Sequence, residues 1–213
     1  MNIHIVLGAP LNDRSLQIKY NEGDQFIGVD RGAYFLKEAD YPVDVALGDF
    51  DSLSENELEE IKSNAKEILY KTDQDNTDFE WTLLQVSERF KEETLVIHNW
   101  MGGRLDHLLN ILYIFYQSRF QHLLNRIIFT HPNQTVTFFH PGCYTLTKEA
   151  DKTYLSFIAM KPITHLTLKN VKYPLEKHKI STPLALISNE FLADEMTFNF
   201  DTGLMMVVQS KDG

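Results

Sequence analysis

Two aspartates separated by one residue follow a short apolar run in the segment VALGDFDS, where Asp49 and Asp51 come directly after residues 45–48. Three other apolar runs are also followed by acids, amides or glycines. These segments are DRG at residues 30–32, KTDQDNTD at 71–78 and NWMGGRLDH at 99–107. In open α/β sheets, ligands bind outside the carboxyl ends of the strands. If these runs are parallel strands, their polar residues converge on one cleft.

The chemistry of such a cleft follows from its charge. Several carboxylates a few ångströms apart cannot all stay ionised unless a cation lies among them. Hard oxygen ligands suit Mg²⁺, which uses one or two carboxylates and completes its coordination with water and substrate phosphates. Gly102 and Gly103 at a helix start expose backbone N–H groups, and Arg104 can bind phosphate oxygens in a bidentate manner. These residues predict a cleft that binds magnesium and phosphate.

Each segment taken alone also has a structural interpretation. Asp49 and Asp51 can be turn and capping residues before a helix, and Asp78 can stabilise a helix N-terminus. Gly102–Gly103 can be an ordinary turn between a strand and a helix, and His107 can be a packing residue. All of these interpretations would have to hold at corresponding strand ends, which favours the shared cleft.

The elements that position these residues alternate between strand-like and helix-like patterns up to about residue 120. Apolar runs such as IHIVLG, QFIGVD and TLVIHN alternate with amphipathic stretches such as GAYFLKEA and SENELEEIKSN. This alternation is typical of a parallel sheet covered by helices. Ser54 with Glu57, and Thr77 with Glu80, fit capping boxes at two helix starts.

After about residue 125 the pattern changes to β-branched and aromatic runs separated by turn residues, as in RIIFTH, QTVTFFH, TYLSFIAM and EMTFNF. The predicted fold class is therefore a Rossmann-like α/β domain with a parallel sheet, followed by an antiparallel β-sandwich or barrel. We place the first domain at residues 1–124 and the second at residues 125–213. Cys143 is expected in a turn between strands.

Composition limits the partners and the compartment. The formal net charge of −10, from 30 acids and 20 bases, disfavours nucleic acid as the main partner. A lone cysteine excludes an internal disulfide and suits a reducing compartment. The segment MNIHIVLGAP has no basic region and only a short apolar run, so we expect a cytoplasmic protein that does not span a membrane. The common phosphate-binding loops and kinase motifs are absent from the sequence.

The combined motifs resemble one family, the bacterial thiamine pyrophosphokinases. The resemblance rests on VDRG (29–32), GDFDS (48–52), DQDNTDFE (73–80), GGRLDH (102–107) and SNEF (188–191), and it covers nearly the whole chain. It implies transfer of the pyrophosphoryl group of ATP, with Mg²⁺, to the hydroxyl of thiamine, giving thiamine diphosphate and AMP. It also implies a homodimer whose active site lies at the subunit interface.

The resemblance implies a role for each matching residue. The implied metal ligands are Asp49, Asp51 and Asp78, and the implied catalytic residues are these three with Arg104 and Asp106. The implied nucleotide-binding residues are Asp30, Gly32, Gln74, Gly102, Gly103 and Arg104. Ser188 and Asn189, from the β domain, are implied to approach thiamine. In this scheme residues 1–124 bind ATP and Mg²⁺, and residues 125–213 bind thiamine.

This sequence departs from the family pattern at Met101, where a threonine is common, and at Leu186-Ile187, where a glycine is frequent. Two alternatives to the kinase stay open at this point. One is a Mg²⁺-dependent phosphohydrolase, and the other is a non-catalytic sensor of thiamine or nucleotide. Either Asp78 or Asp106 could accept the proton of the substrate alcohol. Because thiamine is cationic and aromatic, Trp100 and Phe50 are candidate walls of its site, although core packing is favoured for Phe50.

Overall fold

The computed structural model describes residues 1–11 and 15–212. The chain forms two compact units, one from Met1 to His131 and one that begins at Pro132. Within the described residues, no helix has the length and hydrophobicity needed to cross a bilayer. The functions predicted from the sequence for two domains, with a boundary after residue 124, stay a prediction.

The first unit is built on a parallel sheet. Among its described residues the strands lie in the order β6-β5-β1-β2-β3-β4, and every neighbouring pair is parallel. The strands are β1 (Asn2–Val6), β2 (Gln25–Val29), β3 (Val45–Gly48), β4 (Glu67–Tyr70), β5 (Thr94–His98) and β6 (Ile127–His131). From β1 the chain continues to one side of the sheet, and from β5 it continues to the other. The ends of β1 and β5 are therefore the topological switch point, where such sheets bind ligands.

Helices follow four of these strands. They are α1 (Arg31–Glu38), α2 (Glu55–Asn64), α3 (Asp78–Arg89) and α4 (Leu105–Tyr113). Both predicted capping boxes are confirmed: Ser54 and Glu57 cap α2, and Thr77 and Glu80 cap α3, each with its reciprocal side-chain and backbone hydrogen bonds. After α4 the chain continues in two 3₁₀ segments, Ile114–Tyr116 and Ser118–Arg126.

Glycines allow α1 to pack directly on the sheet. A Cβ atom on Gly32 would lie 1.9 Å from the carbonyl oxygen of Val6, and one on Gly28 would lie 2.2 Å from the Cα of Ala33. No larger side chain fits such close backbone contacts without displacing them. The N-terminus of α1 is therefore held against the ends of β1 and β2.

The second unit is an antiparallel sandwich. One sheet has the order β12-β9-β14-β7 and the other β11-β10-β13-β8. The strands are β7 (Gln134–Phe139), β8 (Gly142–Thr147), β9 (Tyr154–Ala159), β10 (Ile163–Lys169), β11 (Leu175–Ile180), β12 (Leu184–Asn189), β13 (Glu195–Phe200) and β14 (Met205–Ser210). Buried residues of both sheets form one core, including Phe157 of β9 and Phe198 of β13, whose rings lie 5.4 Å apart. The predicted fold class is confirmed.

Three features of the strands differ from the sequence-based expectation. Cys143 lies in strand β8, paired with Asn199 of β13, and not in a turn. The strands β8, β11 and β12 are not among the runs singled out in the sequence. Most of the side chains of β11 and β12 are exposed, so these strands lack a continuous apolar run. The run at Ile127–His131, grouped with the antiparallel part by composition, pairs in parallel with β5 in the first unit.

Candidate active site

The ends of β2 and β3 bring three aspartates together. Asp30 follows β2, and Asp49 and Asp51 follow β3; one carboxylate oxygen from each lies within 4.8 Å of the others. The two strand ends are joined directly, since the N–H of Asp30 donates to the carbonyl of Leu47 at 2.7 Å. Gly48, at φ 148°, allows this approach, because a Cβ there would lie 3.2 Å from the backbone of Asp30.

The backbone at these strand ends adopts conformations that side chains rarely take. Asp30, Phe50 and Asn99, which follow β2, β3 and β5, have φ values of 51°, 60° and 50°. Each such residue costs on the order of 1–3 kcal/mol and persists only where its surroundings hold it. Phe50 shows how this happens: its ring is buried and packs edge-on against Tyr70 at 5.5 Å. The aspartates on either side of Phe50 remain exposed.

Hydrogen bonds order this loop. The hydroxyl of Ser52 donates to Oδ2 of Asp30 at 2.6 Å, and the N–H of Asp51 donates to Oδ1 of Asp49 at 3.2 Å. Arg31 donates to the carbonyl of Ser52 and, at 3.1 Å, to Glu57 of α2. The carboxylates of Asp30 and Asp49 are thus held by hydrogen bonds before any ligand binds.

The electrostatics of the cluster are unfavourable without a cation. Burial raises the pKa of the Asp30 carboxyl, and the negative charges of Asp78 and Asp49 raise that pKa further. The hydrogen bond from Ser52 acts in the opposite direction and does not offset them. A positive ion among these groups would remove the repulsion.

The donor set fits a hard divalent cation. Among the described residues, two buried side-chain oxygens accept no hydrogen bond, Oδ1 of Asp30 and Oδ1 of Asp78. A buried carboxylate oxygen without a partner is costly in an apo protein and is a natural ligand for a metal ion. All three converging groups are carboxylates, which is the ligand type that Mg²⁺ prefers.

Asp78 lies at the start of α3 and has a different partner. It is not one of the three residues that converge within 4.8 Å in the described part of the chain. Its Oδ1 lies 3.4 Å from the ammonium of Lys71, in an ion pair without hydrogen-bond geometry. Its charge nevertheless acts on Asp30, so it belongs to the same electrostatic cluster. The role of Asp78 as a metal ligand stays a prediction.

The loops after β1 and β5 meet at the switch point of the sheet. The side-chain amide of Asn99 donates to the carbonyl of Leu7 at 2.9 Å and also to that of Ala9. Gly102 and Gly103 have φ values of 111° and 82°, which favour glycine. These glycines precede α4, as the sequence predicts for a backbone anion site.

The remaining predicted residues of the first unit are exposed, with the exception of Gly32. Arg104 binds the carboxylate of Asp106 through two hydrogen bonds, one of 3.1 Å, and this contact lowers the pKa of Asp106. Gln74 is exposed in the loop after β4. Gly32 is buried in the first turn of α1, against the carbonyl of Val6. The nucleotide-binding roles of these residues stay predictions.

In the second unit the two predicted thiamine contacts differ in their surroundings. Ser188 is exposed, at φ 59°, in an irregular part of β12. Asn189 is buried, and its amide exchanges hydrogen bonds with the backbone of Tyr173 at 2.9 and 3.0 Å and accepts one from Glu190. Asn189 therefore has a structural role in its strand, whatever it contributes to binding.

Trp100 and Phe50 are both core residues of the first unit. The indole N–H of Trp100 donates to the carbonyl of Thr130 at 3.0 Å, and its ring packs edge-on against Phe129. Only 4% of Trp100 and 3% of Phe50 is exposed. The structure thus shows core packing for both rings, as the sequence favoured for Phe50, and their role as walls of a thiamine site stays a prediction.

Two features of the site were missed in the sequence. One is the loop after β1, whose residues Gly8 and Pro10 carry no charge and therefore gave no signal of a site. The other is Lys71, the first residue of the segment 71–78, which was given no role because the acids after it drew the attention. Its position at the strand end was the available signal.

Acids that converge at the carboxyl edge of a parallel α/β sheet, next to glycine turns at the switch point, lie where such sheets bind ligands and fit the class of enzymes that handle phosphate groups. Comparison with known proteins identifies the family. The sequence profile described as thiamin pyrophosphokinase, catalytic domain, matches residues 17–127, and the one described as thiamin pyrophosphokinase, vitamin B1 binding domain, matches residues 143–205.

Individual relatives agree over the full length. A thiamine pyrophosphokinase of Bacillus subtilis (strain 168) is 33% identical, with 99% of each chain covered. A crystal structure of a thiamin pyrophosphokinase family protein from Enterococcus faecalis is 34% identical, with a TM-score of 0.94 and 100% of each chain covered. A Bacillus subtilis thiamine pyrophosphokinase structure is 31% identical, with a TM-score of 0.89 and 100% of each chain covered.

The chain belongs to the thiamin pyrophosphokinase family, and the resemblance found in its sequence is confirmed. It is an enzyme of the diphosphotransferase class, and the family supports this function over the phosphohydrolase and the sensor.

Proposed function

We propose that this protein transfers the pyrophosphoryl group of ATP to the hydroxyl of thiamine, forming thiamine diphosphate and AMP with the help of Mg²⁺. The observation that carries the proposal is the convergence of Asp30, Asp49 and Asp51 in a chain of this family. Such a cluster is unfavourable in the apo protein, because its like charges raise the energy of the folded state, and a bound cation would remove this cost.

Asp49 and Asp51 are the proposed metal ligands on which sequence and geometry agree. The family resemblance adds Asp78 as the third ligand, whereas the distances favour Asp30. Mg²⁺ bound there would neutralise charge on the polyphosphate and on the leaving AMP. Phosphoryl-type transfer depends mainly on such charge stabilisation and on alignment.

Besides holding the metal, residues of the chain have two tasks in binding the substrates. The N–H groups of Gly102 and Gly103 bind non-bridging oxygens, and Arg104 joins them when phosphate displaces Asp106 from its guanidinium. Asp30 and Gly32, which follow β2, and Gln74, which follows β4, form the proposed nucleotide site on the same edge of the sheet.

In the reaction the hydroxyl oxygen of thiamine forms a bond to the β-phosphorus of ATP. The bond from that phosphorus to the oxygen bridging to the α-phosphate breaks, and AMP leaves with its electron pair. The alcohol proton passes to a carboxylate, Asp78 or Asp106, and then to solvent. In the apo state the bond from Arg104 keeps Asp106 a weak base, since it lowers the pKa of that carboxyl.

We further propose a homodimer with the active site at the subunit interface, in which Ser188 and Asn189 contribute to the thiamine site. Exposed apolar side chains support an association surface in each unit. Leu105 and Tyr113, two turns apart on α4, are 68% and 59% exposed, and Ile187 of β12 is 69% exposed. Single exposed apolar residues are common, but several on one element mark an interaction surface.

The reaction is tested by incubating the purified protein with ATP, Mg²⁺ and thiamine and separating the nucleotides by chromatography. We expect AMP and thiamine diphosphate to appear in equal amounts, and neither without thiamine. ADP as the product, or phosphate release that does not need thiamine, would refute pyrophosphoryl transfer.

The shared site is tested by mixing two inactive variants, Asp51→Asn in the first unit and Ser188→Trp in the second. If each site combines parts of two subunits, random exchange restores about a quarter of wild-type activity, because half of the dimers contain one intact site. Sites built within one subunit would show no recovery, since every site would then carry a defect.

A further inference from the structure

Lys71 is a buried cation at the carboxyl end of β4, on the edge of the sheet that carries the acids. Its side chain is only 8% exposed. Its backbone N–H donates to the carbonyl of Gly48 at 2.9 Å, which fixes it beside the end of β3. Lysines are almost never buried without a charged partner, so the position needs an explanation.

The partner of Lys71 is Asp78, and the two charged groups are not in close contact. The ammonium lies 3.4 Å from Oδ1 of Asp78. Surface pairs elsewhere in the chain are closer, at 2.7 Å for Lys66 with Asp44 and for Lys62 with Glu59. A lysine that served only to neutralise Asp78 would close to a similar distance, because charge-assisted hydrogen bonds favour it.

The surroundings of the pair indicate what else the ammonium can bind. Oδ1 of Asp78 is buried and accepts no hydrogen bond within the described residues. The charge of Asp78 acts on Asp30, and the charge of Lys71 acts on Asp73 in the following loop. Lys71 therefore brings a positive charge with three N–H donors to the border of the acid cluster.

We propose that Lys71 is a phosphate-binding residue, which holds Asp78 in place and donates to a non-bridging oxygen of the nucleotide polyphosphate. This inference rests on the proposed function. A compact ammonium binds phosphate as a point charge, and burial of the stem keeps it oriented. Without nucleotide, the same charge repels the divalent cation from the neighbouring carboxylates.

These two effects have opposite signs and can be measured separately in Lys71→Met, which keeps most of the unbranched apolar stem of the side chain and removes its charge. Binding of Mn²⁺ alone, followed by electron paramagnetic resonance, should become tighter by about tenfold, which corresponds to ~1.4 kcal/mol of lost repulsion. Binding of a non-hydrolysable ATP analogue with Mn²⁺ should weaken by about tenfold for the lost phosphate contact.

Two further variants control the experiment. Lys66→Met removes an exposed lysine just before β4, 76% exposed and paired with Asp44, and should leave both affinities unchanged. Lys71→Arg keeps the charge and should bind Mn²⁺ alone as the wild type does. If Lys71→Met does not fold, Lys71→Gln is measured in its place.

Unchanged affinities with a lower thermal midpoint would overturn the proposal and leave Lys71 as a structural residue. A loss of both affinities together would also overturn it, because a disordered site loses metal and nucleotide alike. Failure of the proposed function is distinct, because the wild type itself would then show no metal-dependent binding of the analogue and no AMP formation.

Discussion

The stability of the first unit should fall steeply between neutral and mildly acidic pH because of a buried histidine pair. Nε2 of His98 lies 2.9 Å from Nδ1 of His4, and Nδ1 of His98 lies 2.8 Å from the hydroxyl of Thr130. The other ring nitrogen of His4 lies 3.3 Å from Asp24. Both histidines are buried, and burial together with the charge of His4 lowers the pKa of His98 from 6.5 to about 3.

The sign and size of the effect follow from this pKa. The folded protein keeps His98 neutral, whereas the unfolded chain protonates it below pH 6.5. Its contribution to stability is therefore complete above that pH and is lost as the pH falls towards 3. At about pH 5 the loss is ~2 kcal/mol, since each pH unit below the unfolded pKa costs about 1.36 kcal/mol.

Titration of the other groups in the network does not cancel the loss of stability that is expected from His98 below pH 6.5. Burial raises the pKa of Asp24, but hydrogen bonds from the backbone of Asn2 and Asn21 and from His4 bring it down to about 2. A depressed acid of this kind contributes stability above its unfolded value of 3.8 and loses it only at lower pH. Burial also lowers the pKa of His4, which adds a loss of the same sign as that of His98.

The assay is urea unfolding followed by tryptophan fluorescence at about pH 7.5 and about pH 5, a range that spans the window of His98 titration. Both tryptophans of the chain, Trp81 and Trp100, lie in the first unit and report on it directly. His98→Gln keeps a donor and an acceptor but does not titrate, so its loss on acidification should be smaller than that of the wild type by ~2 kcal/mol. His178→Gln, at an exposed position in β11, should behave as the wild type does. An equal loss in His98→Gln and the wild type would refute the argument.

Two further predictions concern the site and the elements that hold it. Asp51→Asn should fold normally, by circular dichroism, and lose on the order of 100-fold in thiamine-dependent AMP formation, the usual cost of removing one charge-stabilising group; Asp194→Asn, exposed in the second unit, is the control, and wild-type turnover in Asp51→Asn would remove it from the metal site. Gly32→Ala should lose roughly 2 kcal/mol or more of unfolding free energy in urea, because its Cβ would overlap the carbonyl of Val6. In Gly23→Ala a Cβ meets open space, and only the φ of 90° strains the alanine, so we expect a smaller loss, on the order of 1 kcal/mol; equal losses in the two variants would contradict the steric argument.

The sequence predicts local features of the site well because their causes are local. The capping boxes at Ser54 and Thr77 need only a hydroxyl and a carboxylate three residues apart. The alternation of strands and helices identifies a parallel sheet, and that alone places the residues after each strand at one edge. The family resemblance depends on the same segments, so it and the physical argument agree.

Other features depend on contacts that no local pattern encodes. Cys143 lies in a strand because β13 pairs with it, and β11 and β12 are strands although most of their side chains are exposed. The run Ile127–His131 has the composition of any buried strand, and only its neighbour β5 makes it parallel. Pairing partners far apart in the chain override strand propensity, which is itself weak and context-dependent.

By itself the sequence determined the fold class, the family and the set of acids at the strand ends, because residue types and periodicity are sufficient for these. Only the tertiary structure shows which of those acids converge and which one has a different partner. Asp30, Asp49 and Asp51 converge, while Asp78 faces the buried ammonium of Lys71. The reason is geometric: which carboxylates share a cation depends on distances between neighbouring strand ends, and those are fixed only when the sheet is assembled.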